Sequence, residues 1–185
     1  MSAVRLPSVI LSTYEQPGWL ERTLRGYARQ MHREFEILVA DDGSGPETAS
    51  VIDRARRDAG LAIRHLWWEH RGFRKCGIAN HAIVNAAGDY LIFSDGDCVP
   101  RDDFVGTHVR LARAGRFLSG GALRLPPQTS RRVTIEDVES GRIFRPGWLV
   151  RRGWRPGHRL PRLTRSRGLA ILLDRVTPTR ATFNG

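Results

Sequence analysis

Gly88-Asp89-Tyr90-Leu91-Ile92-Phe93-Ser94-Asp95-Gly96-Asp97-Cys98-Val99-Pro100 decides the fold. Residues 90–93 read as a buried strand that ends abruptly in two carboxylates, Asp95 and Asp97, with Gly96 between them. In an open α/β sheet, a hydrophobic strand that delivers charge at its carboxyl end builds a ligand site. Two acids one residue apart, joined by a glycine that lets the backbone turn sharply, can point at one hard cation. An Asp-x-Asp pair is expected by chance about 0.6 times in a chain with this much aspartate, so its weight comes from its position.

Upstream, residues 8–12 are a short apolar run that suits a first strand. Pro17 is well placed for the first turn of a helix. Leu20, Leu24, Tyr27, Ala28 and Met31 then recur at helical spacing, which predicts a helix over 17–31. Residues 35–40 predict a second strand running into Asp41-Asp42-Gly43-Ser44, and 46–59 a helix stopped by Gly60. Residues 63–68 predict a third strand, 70–75 a polar, basic loop, and 76–87 a helix that ends at Gly88. Downstream, 101–114 predicts a fourth helix, and 117–125 a strand interrupted by Gly120-Gly121. Strands alternating with helices of this length make β-α-β units, and right-handed crossovers leave few topologies. The expected fold is α/β: a doubly wound, mostly parallel sheet with helices on both faces, over residues 1–126.

Residues 127–185 have another character. Residues 134–140 predict one short helix. Residues 142–167, rich in Arg, Pro, Gly and Trp and without a clear period, predict a loop or a segment ordered on binding. The apolar run 168–173 suits a docking strand.

A length of 185 residues supports one real core and is short for two. No run of about 18 apolar residues exists to span a membrane. The chain enters Val9-Ile10-Leu11 without a signal-peptide pattern, and Cys76 and Cys98 lack metal-ligand spacing. Reduced thiols in a cytoplasm are therefore the expectation. The net charge of +11 invites nucleic acid or an anionic membrane as partner. Lys75 is the only lysine, however, and so one-sided a use of arginine fits a GC-rich coding bias better than a selected polyanion surface. Arginine suits diphosphate contacts whatever its origin.

In the expected topology three strands end on one rim and present Ser12 to Tyr14, Asp41-Asp42, and Asp95 with Asp97. Polar groups converging at a parallel sheet's carboxyl edge make a site for a small, polar, phosphorylated ligand. The acids attract Mg2+ or Mn2+, and Arg71, Arg74 and Lys75 offer countercharge. Each feature also has an ordinary reading. Asp41-Asp42-Gly43-Ser44 makes a strand-to-helix turn with Ser44 capping the helix, Tyr14 a packed rim aromatic, and the basic loop a solvated one. Cys98 reads as a small buried spacer rather than a thiolate ligand, since Mg2+ prefers oxygen.

These stretches, with Gly72-Phe73-Arg74 and Asn80-His81-Ala82-Ile83, resemble the nucleotide-binding part of an inverting family 2 glycosyltransferase of the GT-A fold. The likeness covers about residues 5–125 in family order and looks most like the bacterial galactosyltransferase-like branch. It implies that Ser12 and Tyr14 lie beside the base and ribose of a nucleoside-diphosphate sugar, with Tyr14 stacking. It implies that Asp42, with Asp41 as a second candidate, accepts hydrogen bonds from the base, commonly uracil. Arg74 is expected near the nucleotide, Asp95 facing the ribose, and Asp97, with Asp95, holding a divalent metal on the diphosphate. The expected acceptor is a carbohydrate or lipid-linked glycan hydroxyl, reached in the cytoplasm, with the basic segment 142–167 offering peripheral contact at the inner membrane face.

Two departures stand out. Many relatives have arginine before the helix asparagine, where this chain has Ala79. The family's acidic motif, which supplies the general base, follows a segment resembling the final Phe183-Asn184-Gly185, so the donor half of a site is expected here without the acceptor half. Glu136 and Asp137 have the right chemistry for a base but precede that segment and sit on the expected short helix. Two alternatives remain at this point. One is a sugar-phosphate nucleotidyltransferase, which needs a Gly-rich basic loop that 12–18 lacks. The other is a non-catalytic basic module using the arginines of 142–167 with Trp148 and Trp154 on nucleic acid or anionic lipid.

Overall fold

A computed structural model describes residues 4, 6–157, 163–166, 168, 169 and 172. The chain divides into two compact units, the first running to Phe117 and the second starting at Leu118. That boundary falls earlier than residue 126, where the sequence suggested it.

In the first unit β1 (Pro7–Thr13), β2 (Glu36–Asp41), β3 (Ile63–Trp67) and β4 (Tyr90–Asp95) pair in parallel in the order β3-β2-β1-β4. Helices α1 (Pro17–Ala28), α2 (Pro46–Ala59) and α3 (Lys75–Asn85) connect successive strands, and α4 (Phe104–Leu111) follows β4. Side chains alternate across a strand. Val9, Leu11, Ile37, Val39 and Ile92 accordingly share one face, packed with Leu20 and Leu24 of α1, Ile52 of α2 and Val105 of α4. Ile10, Leu38 and Ala40 take the other, against Ile78 and Ala82 of α3. Both faces are covered over β1 and β2, as a parallel sheet requires, and every residue of β2 is buried, whereas Phe93 of β4 stays exposed.

The amino ends of the strands are locked by buried polar groups. Ser8 Oγ donates to Glu36 Oε1 (2.6 Å), which also accepts the Ala87 N–H (2.6 Å), and the Gly88 N–H donates to Ser8 Oγ (2.9 Å). A side chain at Gly88 would stand 2.3 Å from the Leu6 carbonyl oxygen, so only glycine lets β4 start beside β1.

Helix ends differ from the periodicity where side chains take over. Helix α1 stops at Ala28, short of 31, because buried Gln30 bridges instead to the Arg101 carbonyl (2.7 Å) and the Val105 N–H (2.9 Å). Helix α4 starts at Phe104 rather than 101, since Arg101 folds back on Asp103 through two contacts of 2.6 and 2.8 Å.

The expected strand over 117–125 does not form: residues 116–126 have no regular structure. Gly120-Gly121 removes the side chains that would hold a strand in register, and Pro126-Pro127 closes the segment. The second unit then holds short helices α5 (Pro127–Ser130), α6 (Ile135–Glu139) and α7 (Pro146–Arg151), with a 3-10 turn at Arg142–Phe144. The loop expected from 142 onward is thus partly helical. Pro146 starts α7, and Trp148, Leu149 and Trp154 are buried, as are Val133, Val138 and Ile143 in the same unit. A six-residue helix is too short to show a period. The docking strand expected over 168–173 is not seen: residues 168, 169 and 172 are helical, while 170, 171 and 173–185, with the final Phe183-Asn184-Gly185, lie outside the described residues. Among the described residues no helix is long and apolar enough to cross a membrane.

Candidate active site

Parallel pairing brings the strand ends level. Thr13 pairs with Asp41, and Ser12 with both Ala40 and Asp95. The Gly96 N–H donates to the Ser12 carbonyl (2.8 Å) and the Asp42 N–H to that of Thr13 (3.1 Å), so both acidic turns are tied to the end of β1. The chain crosses from β3 to the far side of β1 between these turns. This reversal point is where open α/β sheets leave a crevice for ligands. A Cβ on Gly96 would meet Thr13 Cβ and Oγ1 at 3.0 Å, which keeps the Asp95–Asp97 turn close against β1.

Asp41 is wholly buried and committed inward. The Ser44 N–H donates to its Oδ1 (2.8 Å) and His65 Nε2 to its Oδ2 (2.8 Å). Because a carboxylate only accepts, His65 carries its proton on Nε2 in this contact. Burial pushes the Asp41 carboxyl up, but the hydrogen bonds from His65 and Ser44 outweigh it and hold the group below its ordinary value. Ser44 does not cap α2, whose N-cap is Gly45; its hydroxyl accepts the Glu15 N–H (2.9 Å).

Asp42 is 4% exposed and lies between the first and third strand ends. Its Oδ1 accepts from Trp68 Nε1 (2.6 Å) and its Oδ2 from the Arg74 N–H (2.9 Å). His70 Nδ1–H donates to the Asp42 carbonyl (2.9 Å), and the Tyr14 ring stacks on His70 at 4.3 Å and 16°. Gly43 (φ +99°) lets His70 approach: a Cβ there would sit 2.5 Å from the His70 nitrogen. The outcome is an aromatic platform, 44% exposed at Tyr14, beside a carboxylate whose orientation is fixed. Ser12 sits on the same rim, between Ala40 and Asp95.

On the other side of β1, Asp95, Asp97 and Cys98 bring their ligand atoms within 4.8 Å of one another. Burial first, then the charges of Asp97 and Asp95, push the Cys98 thiol up to about 11. The sulfur is therefore protonated near neutrality, and the two carboxylates form a donor set suited to a hard divalent cation. Lys75 Nζ donates to Asp95 Oδ1 at 2.7 Å. Of the three basic loop residues, Lys75 alone reaches the acidic pair. Arg71 turns to Glu69 (2.8 Å) in solvent, and the Arg74 guanidinium lies 4.4 Å over the Trp68 ring.

The sequence model of the glycosyl transferase family 2 matches residues 8–170. The chain belongs to that family. It is 35% identical over 104 residues to the uncharacterized glycosyltransferase YfnE of Bacillus subtilis, an overlap of 56% of this chain and 26% of that protein. It is 34% identical over 116 residues to the validoxylamine A glucosyltransferase of Streptomyces hygroscopicus subsp. jinggangensis, covering 62% of this chain and 27% of that protein. The mannosyltransferase PcManGT from Pyrobaculum calidifontis, solved in complex with GDP-Man and Mn2+, superposes with a TM-score of 0.54 at 22% identity, covering 75% of this chain and 39% of that one. That likeness shows the α/β, GT-A fold. The chain spans about a quarter of the length of the curated relatives it matches.

In this family 2 chain, Glu136 and Asp137 belong to the second unit. Asp137 closes a capping box on α6: its Oδ2 accepts from Thr134 N (3.1 Å) and Oγ1 (3.0 Å), while its own N–H donates to Thr134 Oγ1 (3.2 Å). Arg142 stands 3.2 Å from its Oδ1, and 2.9 Å from the exposed Glu136. The residues that sequence reasoning missed are His65, Trp68 and His70. Their signal was faint: polar aromatics on and just after a strand that ends on the same rim.

Proposed function

We propose that this chain supplies the donor-binding part of a metal-dependent glycosyltransferase, which moves a sugar from a nucleoside-diphosphate sugar, UDP-linked in our reading, to an acceptor hydroxyl with inversion. The observation that carries this is the pairing of Ser12 with Asp95 and of Thr13 with Asp41 at the β1 end, which holds an aromatic platform and an acidic pair on one rim. In this reading the base stacks on Tyr14, backed by His70, and Asp42 accepts from its edge while Trp68 and the Arg74 N–H keep the carboxylate oriented. Asp95 and Asp97 hold a divalent cation, Mg2+ or Mn2+; when bound, it supplies electrostatic stabilisation of the charge that develops on the departing diphosphate. Lys75 adds a second positive group beside them.

Chemistry of this class is a single displacement: the acceptor oxygen forms its bond to the anomeric carbon as the bond to diphosphate breaks. The acceptor must lose a proton to a base. Asp137 is spent on its cap and its ion pair, so we do not assign it that role. The glucosyltransferase relative and the Mn2+-bearing mannosyltransferase neighbour support the class of donor and the metal. The acceptor in this reading is a carbohydrate or lipid-linked glycan, met in the cytoplasm.

Isothermal titration of UDP with and without Mn2+, on the native chain and on Asp97→Ala, tests the proposal. Binding that needs the metal and is lost in the variant supports it. UDP heat that is identical with and without Mn2+, and unchanged by the substitution, refutes metal-dependent donor binding.

A further inference from the structure

The net charge of +11 is not spread along the chain. Residues 118–185 hold 14 of the 30 basic residues and only 4 of the 19 acidic ones, so they carry nearly the whole excess. The first unit neutralises itself locally. Arg25 faces Asp58, Arg29 Asp102, Arg54 Glu21, Arg56 Asp53, Arg71 Glu69 and Arg101 Asp103. In the second unit Arg142 takes both Glu136 and Asp137. Arg124, Arg131, Arg132, Arg145, Arg151 and Arg155 remain exposed with no carboxylate partner among the described residues.

Several of these arginines are drawn together. Arg124 and Arg155 line one open groove with Leu123 and Trp154. The turn bearing Arg131 and Arg132 is stitched to the end of α7 by two bonds, Thr129 Oγ1 to the Arg152 carbonyl (2.7 Å) and Arg152 Nη1 to the Arg132 carbonyl (3.0 Å). That places the 131–132 pair beside Arg151. Clustered guanidiniums without counter-carboxylates repel one another, and a phosphate-bearing partner relieves that cost.

We propose that this basic face of the second unit docks on an anionic phospholipid surface. Two observations favour lipid over nucleic acid. Sequence-tolerant binding of single strands relies on exposed aromatic rings for stacking. Trp148 and Trp154 are instead 7% and 6% exposed, packed into the unit's core, and Arg152 covers Trp148 at 4.7 Å. Conversely, Leu169 and Leu172 are exposed within the apolar run 168–173, which Arg165 and Arg167 precede and Arg175 follows. Apolar side chains flanked by arginine suit shallow insertion at a headgroup boundary.

Vesicle sedimentation of the full chain tests this without any donor or metal. The protein should pellet with phosphatidylcholine vesicles containing about 30% phosphatidylglycerol, not with phosphatidylcholine alone, and lose binding as salt rises to about 0.5 M. Replacing Arg131 and Arg132, or Arg151 and Arg155, by glutamine should weaken binding about 25-fold per pair, at about fivefold for each arginine. The pair Arg54→Gln with Arg57→Gln in the first unit should leave it unchanged. Leu169→Glu with Leu172→Glu should weaken vesicle binding while sparing binding to a single-stranded oligonucleotide. No sedimentation with anionic vesicles, or an equal loss in the first-unit pair, overturns the proposal. So does an oligonucleotide that binds more tightly than the vesicles and strips the protein from them.

Discussion

Lys75 Nζ lies 2.7 Å from Asp95 Oδ1, so the first residue of α3 already holds a positive charge against the acidic pair at the end of β4. If Asp95 and Asp97 bind a divalent cation, that cation and the ammonium compete for one carboxylate. Both side chains are partly exposed, which limits the ion pair to at most about 1 kcal/mol. Lys75→Met should therefore tighten Mn2+ binding in the absence of nucleotide by up to about fivefold. The same change should weaken UDP measured without metal, because the diphosphate loses its resident cation. Mn2+ titration followed by electron paramagnetic resonance reads the first effect, and calorimetry the second. Unaltered Mn2+ affinity would mean that Asp95 is not a ligand.

The platform formed by Tyr14 on His70 makes a separate prediction about the base. A stacked base is worth about 1–3 kcal/mol by alanine substitution. Tyr14→Ala should weaken UDP about tenfold or more, while Tyr14→Phe, which keeps the ring, should bind within about twofold of the native chain. His70→Ala should fall between them, since it removes the backing ring at 4.3 Å and the hydrogen bond to the Asp42 carbonyl. Equal affinities for Tyr14→Ala and the native chain would put the base elsewhere.

The rim was legible in the sequence because parallel strands buried on both faces must be apolar throughout, so the first polar residue after each run marks a strand end. Ser12 and Asp41 announce themselves this way, and in β4 Ser94 does so one residue ahead of Asp95. What could not be read was the division of labour within Asp41-Asp42. Adjacent residues leave a strand end in opposite directions, and the choice of partners depends on His65, Trp68 and His70, more than twenty residues away. In the second unit the failure was of another kind. Thr134-Ile135-Glu136-Asp137 carries a capping-box pattern, legible as such, but its carboxylate was weighed as a candidate base. Helix α7 escaped notice because two tryptophans and a leucine, not periodicity, fix it.

Asp41 makes the fold sensitive to acid with a definite sign. Its folded-state pKa is lowered from 3.8 by the contacts with His65 and Ser44 that outweigh burial, so the folded chain holds the anion more firmly than the unfolded chain. The resulting stability is fully present above the unfolded value and is lost as pH falls through the lower folded value. Asp41→Asn keeps the shape but gives up the charge-assisted bonds, at a cost of about 2 kcal/mol near neutrality. Urea unfolding of both proteins at neutral pH should show that gap, and the gap should shrink as pH drops below about 4. A gap of constant size across that range would mean that the Asp41 charge contributes nothing to stability.

The two thiols should differ sharply in reactivity, which probes the acidic turn without any ligand. Thiolate, not thiol, is the nucleophile. With its pKa pushed up to about 11 by burial and then by Asp97 and Asp95, Cys98 presents only about one thiolate in a thousand at pH 8. Cys76 is exposed on α3 and lies outside the Asp95, Asp97 and Cys98 cluster. Iodoacetamide at pH 8, read by mass spectrometry of the peptides, should label Cys76 first and leave Cys98 largely unmodified. Replacing Asp97 by asparagine removes the neighbouring charge that, after burial, acts most on the thiol, so Cys98 labelling should accelerate while the Cys76 rate stays the same. Should Asp97→Asn leave the Cys98 rate untouched, the Asp97 carboxylate does not stand beside the sulfur, and the compact donor set at the end of β4 is wrong.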